Sequence, residues 1–70
     1  MHELKAMMAG SVWEVYVKVG DKVEEGQDVV ILESMKMEIP IASDVSGTVK
    51  EVRVSKDDFV NEDDVLVVLE

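Results

Sequence analysis

The chain has no cysteine, one histidine, one proline and four glycines, and its aromatics are single copies of Trp, Tyr and Phe. Without cysteine it can form neither a disulfide framework nor a thiolate metal site. His2 stands beside Met1, where a frayed terminus is expected rather than a ligand or a base, and no metal centre or catalytic group is expected elsewhere. No apolar run approaches the roughly 20 residues that cross a bilayer as a helix, and the N-terminus lacks the basic-then-apolar layout of a secretion signal. A soluble cytoplasmic protein is the expectation. Cations are scarce as well: 7 Lys and Arg against 16 Asp and Glu give a formal charge of -9. A phosphate backbone would be repelled, which argues against a nucleic-acid partner.

What is present is compact and β-like. With 70 residues the chain is one domain, 1–70, and a domain of this size buries only roughly 60% of its unfolded surface, leaving little room for an enclosed active site. Hydrophobic residues make up 47% of the chain and are dominated by Val, with Ile and Leu, the residues that favour strands.

The sequence also repeats itself. At an offset of 37, residues 9–33 lie over residues 46–70 without a gap, pairing Gly10 with Gly47, Val12 with Val49, Asp21 with Asp58, Val23 with Val60 and Leu32 with Leu69. Two units, each too short to fold alone, point to one quasi-symmetric closed β structure rather than a solenoid. Trp13, Val15, Val17 and Val19 alternate with polar residues and read as one face of a strand. Val12 and Val49 are each out of phase with the valines that follow, so a bulge or bend is expected in both halves. Val29-Val30-Ile31-Leu32 reads as a strand covered on both faces, and Phe59-Val60 and Val65–Leu69 as strands of the second half. Gly20-Asp21 and Glu25–Asp28 read as turns around a short strand at Val23. Asp57 and Asp63 replace Gly20 and Gly26 in the second half, where they should cost some stability, because Asp enters the left-handed region less readily. Met37, Ile39 and Ile41 form a further strand, with Pro40 expected at an edge, a bulge or an outward-facing backbone position because it has no amide hydrogen. Its counterpart is the first strand, around Leu4, giving eight strands in all.

This symmetry places Lys36 at the tip of a tight hairpin, at the end of the molecule remote from both termini. A turn normally recruits Gly, Asn, Asp or Ser, yet Met35 and Met37 flank this lysine. Methionine gives a soft, adaptable surface for a partner to grip. Lys5, Lys18, Lys22, Lys50 and Lys56 read simply as solubilising residues.

The segment Glu33-Ser34-Met35-Lys36-Met37-Glu38 resembles the attachment motif of the biotinyl/lipoyl family, in which a lysine lies between two methionines in a β-hairpin. The likeness extends over essentially the whole chain, through the Ala9-Gly10 turn, Val19-Gly20-Asp21, Gly26 and Ser46-Gly47-Thr48-Val49. It implies a flattened barrel of two four-stranded antiparallel sheets, monomeric, with biotin joined to Lys36 by an amide. It further implies a carrier rather than an enzyme, loaded by a biotin protein ligase and serving biotin carboxylase and carboxyltransferase. Met35 and Met37 are then recognition residues for the ligase. Ser34 departs from the usual Ala, and Glu33-Ser34 looks lipoyl-like, so Glu33 and Ser34 are candidate specificity residues, with lipoate and lipoate ligase as the second reading. No segment corresponds to the protruding thumb of some carrier proteins. The thumbless, free-standing attachment proteins are therefore the nearer likeness, an excised C-terminal domain being the alternative.

Two rival classes are an unmodified interaction module and a small enzyme using Glu33 and Glu38. The first would have no need of Met-Lys-Met, and the second lacks the burial that tunes a carboxylate. The dispersed carboxylates read as solubilising, with Asp57-Asp58 and Glu62–Asp64 as solvated turns, or as a field that steers the chain to basic rims on ligase or carboxylase.

Overall fold

The computed structural model describes residues 1–70 and contains eight strands: β1 (His2–Lys5), β2 (Gly10–Val15), β3 (Lys22–Val23), β4 (Asp28–Ser34), β5 (Met37–Ala42), β6 (Gly47–Val52), β7 (Phe59–Val60) and β8 (Val65–Leu69). They form two four-stranded sheets, ordered β1-β8-β6-β3 and β5-β4-β2-β7, with every pairing antiparallel. The sheets face each other as a flattened barrel. Shifting by 37 residues exchanges β1 with β5, β8 with β4, β6 with β2 and β3 with β7, so one sheet order maps onto the other.

The correspondence extends to single residues. The expected slip in valine phase is a bulge in both halves, at Trp13 in β2 and at Lys50 in β6. A second matched pair lies at Val29 in β4 and Leu66 in β8. Bulges put two neighbouring residues on one side of a strand, which corrects two expectations. Val29 and Val30 are both buried because β4 bulges there, not because both faces are covered; Ile31 faces outward and is half-buried. Likewise Trp13 and Val19 do not join Val15 and Val17. Both are exposed, β2 ends at Val15, and Val12 takes the inward place ahead of the bulge.

Between the sheets lies a core of 14 buried side chains, all aliphatic, including Val12, Val30, Leu32, Val49, Val67 and Leu69. Burying each Val or Leu contributes about 1.5–3 kcal/mol, offset by the entropy of ordering the chain. Pro40 lies on β5, an edge strand, as its missing amide hydrogen requires.

The turns repeat too. Lys18 N–H donates to the Asp21 carboxylate at 3.0 Å and Ser55 N–H to the Asp58 carboxylate at 2.8 Å. Glu24 N–H donates to the Gln27 side chain at 3.1 Å and Asn61 N–H to the Asp64 carboxylate at 2.8 Å. Asp58 and Asp64 are thus turn-forming acceptors as well as solvated charges. The third residue of each turn has positive φ: Gly20 (95°) and Gly26 (87°) in one half, Asp57 (77°) and Asp63 (73°) in the other. His2, expected to fray, instead pairs with Leu69 in the sheet, and its Nε2 lies 2.7 Å from Asp44 Oδ1.

Candidate functional site: the lysine hairpin

Strands β4 and β5 pair from Asp28 opposite Ala42 to Ser34 opposite Met37, leaving Met35 and Lys36 as a two-residue loop. Both have positive φ, 52° and 66°. A two-residue hairpin of this kind matches the twist of its strands only with both central residues in the left-handed region, a place usually given to Asn-Gly. A Cβ-bearing residue there costs about 1–2 kcal/mol, so this loop stores strain at the one lysine the sequence singles out. Sequence reasoning missed that strain. The signal was available, because two alternating runs separated by two residues require such a turn.

The side chains stand free. Met35 is 92% exposed and Met37 63%, so neither folds back onto the core. Lys36 is exposed, and its amine has no hydrogen-bond or ion-pair partner. Glu33 and Glu38 face each other across the strands, half-buried and exposed respectively, and like charges in opposed positions weaken a sheet. Ser34 is half-buried at the base of the loop, opposite Met37.

Gly10, expected in a turn, instead opens β2 and is buried against the hairpin's base. A methyl group on it would sit 2.7 Å from the Glu33 carbonyl oxygen, closer than atoms can approach. The absence of a side chain at Gly10 therefore lets β2 lie against the last turn of backbone before Lys36. The Asp28 end of β4 lies beside the segment joining β5 to β6, through Ser43 N–H to Gln27 O at 2.9 Å and Glu25 N–H to Ser46 Oγ at 3.3 Å. The same segment meets one chain end through Asp44 to His2, and β6, which follows it, meets the other through Thr48 O to Glu70 N–H at 2.8 Å. The six residue steps of β4, at about 3.3 Å each, carry Lys36 to the other end of the molecule. The position expected from the repeat is the one observed.

The tip is therefore a flexible primary amine on a strained, apolar-flanked loop that no pocket encloses. The family model described as biotin-requiring enzyme matches residues 2–69. The chain belongs to this biotin/lipoyl family. Among its relatives, the biotin/lipoyl attachment protein of Bacillus subtilis (strain 168) is 64% identical over 62 residues, covering 89% of this chain and 85% of that protein. The biotinylated protein TB7.3 homolog of Mycobacterium leprae (strain TN) is 42% identical over 67 residues, covering 96% and 94%. Among solved structures, the urea carboxylase of Kluyveromyces lactis superposes with a TM-score of 0.91 at 32% identity, over 99% of this chain and 6% of that one. As a biotin/lipoyl domain the chain has its two sheets, its quasi-twofold arrangement and its lysine hairpin in one consistent frame.

Proposed function

We propose that this chain is a cofactor carrier, biotinylated on the Lys36 amine, with Met35 and Met37 as the side chains a ligase grips. The observation that carries the reading is the exposed, unpartnered Lys36 at a two-residue loop with positive φ at both positions. A lysine amine is protonated at neutral pH and a poor nucleophile until it is deprotonated. Nothing in the hairpin is placed to take that proton, so activation belongs to the ligase. The new bond is an amide between the lysine nitrogen and the cofactor's carboxyl carbon, the acyl leaving group departing to the ligase site.

The cofactor, when bound, supplies the carboxyl-carrying chemistry; the chain supplies reach. A hairpin tip opposite the termini keeps the attached group clear of the barrel and at high local concentration for sites on a biotin carboxylase and a carboxyltransferase. The likeness to a domain of urea carboxylase supports partners of that class, and a cytoplasmic setting and a monomeric state are part of the proposal. Lipoate on the same lysine is the second reading, favoured by Glu33-Ser34 at the base of the loop and by a relative named for both attachments.

Intact mass after expression with biotin ligase, with lipoate ligase and with neither tests both. Added mass of one biotinyl group in the first arm, lost in Lys36→Ala, is the expected result. Label retained by Lys36→Ala, or absent from the wild type in both ligase arms, would overturn the carrier reading.

A further inference from the structure

Every outward position on one sheet has a counterpart 37 residues away on the other, so the fold supplies its own control for surface composition. Trp13, Tyr16 and Phe59, the only aromatics, all lie on the outer side of the sheet that bears the lysine hairpin, 45%, 54% and 67% exposed. Trp13 occupies the β2 bulge next to outward Glu14, Tyr16 follows the end of β2 with its N–H donating to Val29 O at 2.9 Å, and Phe59 stands opposite Ser11. Half-buried Ile31 lies between Glu14 and Pro40 in register on the same side. The counterparts of the three aromatics are Lys50, Arg53 and Lys22, every one a cation.

The two faces also close differently. Val68, the counterpart of Ile31, is 3% exposed at the base of a shallow cavity of about 540 Å³ walled by Lys5, Lys50, Glu51 and Arg53. Trp13, Tyr16 and Ile31 line no such cavity, while Phe59 borders a second one of about 410 Å³ with Arg53, Val54 and Asp58. The four strands of the aromatic side contain no Lys or Arg, and their charged residues are Glu14, Asp28, Glu33 and Glu38. An exposed apolar patch with a polar rim marks an interaction surface. Because the same fold carries cations at the mate positions, the fold does not require the aromatics.

We infer that the face formed by Trp13, Tyr16, Phe59 and Ile31 docks the enzyme that loads Lys36, through an apolar patch on that enzyme rimmed by Lys or Arg. This rests on the carrier reading. Ile31 of this face lies on β4, the strand that leads into the lysine loop, and Trp13 lies on β2 beside it, so one partner surface can span both. The loop alone offers few atoms to recognise, and a loading enzyme must single out one lysine among six. A tethered group visiting a carboxylase reaches its site by swinging and has less need of the barrel's side. A second copy of this chain fits poorly, because an isologous contact would press strands whose only charges are carboxylates against their own copy, with no cation to pair them.

The test is steady-state ligation of the purified apo-chain by biotin ligase and by lipoate ligase. The double variant Trp13→Lys, Tyr16→Arg installs the residue types that the mate face already tolerates. KM for the chain is expected to rise at least tenfold with kcat within twofold, while Lys50→Ala, Arg53→Ala shifts KM less than twofold. In both variants the peptide bearing Lys36 should be modified by the succinimidyl ester of biotin at the wild-type rate, read by peptide mass, showing that this amine is equally accessible. Wild-type KM in the Trp13/Tyr16 variant overturns the docking face and leaves the carrier reading standing. A wild-type chain labelled by neither ligase overturns the carrier reading itself. If the double variant loses its cooperative melting, Glu14→Lys replaces it: a KM raised about threefold with a shallower salt dependence is expected, and no change in either overturns the inference. Sedimentation of the wild type completes the test. A monomer is expected, and self-association abolished by the Trp13/Tyr16 substitutions would reassign the face to a second copy.

Discussion

Strands β4 and β5 are joined by a two-residue loop, while their counterparts β8 and β1 lie side by side, Leu69 opposite His2, with no turn between them. The pairing registers agree residue for residue, bulge included, so the sheet does not depend on the loop to bring these strands together. What the first junction adds is Met35 and Lys36 in the left-handed region. Features present in both halves, such as the bulges, the turn hydrogen bonds and the closely approached glycines, are what the barrel requires. Features present in one half, such as the Met-Lys loop and the aromatic face, stand outside that requirement and are where function is to be sought.

The largest effect is expected at Lys36. Lys36→Arg keeps the charge and an exposed side chain but presents a guanidinium in place of the primary amine. Ligase-dependent label should fall below detection by intact mass, while the unfolding free energy from urea denaturation stays within about 0.5 kcal/mol of wild type, as for other exposed substitutions. Lys50, also exposed on a strand of the mate sheet, should take up no label in either protein. Label at Lys50 would show that the ligase reads no more than an accessible lysine.

The next largest is a pair of glycine substitutions. Gly10→Val drives its Cβ to 2.7 Å from the Glu33 carbonyl, in a strand held on both sides by Ser11 and Glu38. Gly47→Val meets the Glu70 carbonyl at 2.9 Å and the Leu69 Cβ at 3.3 Å, but Glu70 lies past the end of β8, held by its N–H to Thr48 O and not by a strand on either side. Overpacking of a fixed backbone costs about 3 kcal/mol or more and of a yielding one about 1–2 kcal/mol, so chemical denaturation should rank Gly10→Val the more damaging. Equal losses would mean that the two sites are equally rigid.

Much of this was legible in the sequence because a repeat makes each half check the other. Val12 and Val49 slip in phase together, and both mark bulges. Phe59-Val60 and Val65–Leu69 appear as strands with the expected boundaries. Less legible was which valines face inward. Simple alternation placed Trp13 with Val15 and Val17, but a bulge adds a residue to one strand only, and nothing local fixes where alternation restarts. The gathering of Trp13, Tyr16 and Phe59 on one face was hidden for a different reason. Phe59 is far from the others in sequence and comes to their side only because β7 pairs with β2, a contact set by the topology. At the hairpin the type of turn was within reach, but the usual turn residues are replaced by Met and Lys, so the local preference and the fold disagree there.

A smaller effect separates strain from recognition at the loop. Met35→Gly removes a Cβ from the left-handed region and should stabilise the fold by about 1 kcal/mol. Ligation should nevertheless slow, because the same change removes the most exposed methionine thioether beside Lys36. A variant both more stable and more readily loaded would show that Met35 contributes strain without recognition.

The smallest effect concerns the turns in which the halves differ. Asp57 and Asp63 hold φ of 77° and 73°, where Gly20 and Gly26 hold 95° and 87°. Nothing lies within 4 Å of where a Cβ would sit on either glycine, so the cost of Asp at these places is conformational and not steric crowding. Asp57→Gly and Asp63→Gly should each stabilise by about 0.5 kcal/mol, less than Met35→Gly, because Asp enters the left-handed region more easily than Met. Gly20→Asp and Gly26→Asp should lose a similar amount. The glycine variants also remove negative charge from a chain at -9, and that contribution is separable: a gain that shrinks in high salt is relief of repulsion, and a gain that persists is relief of backbone strain.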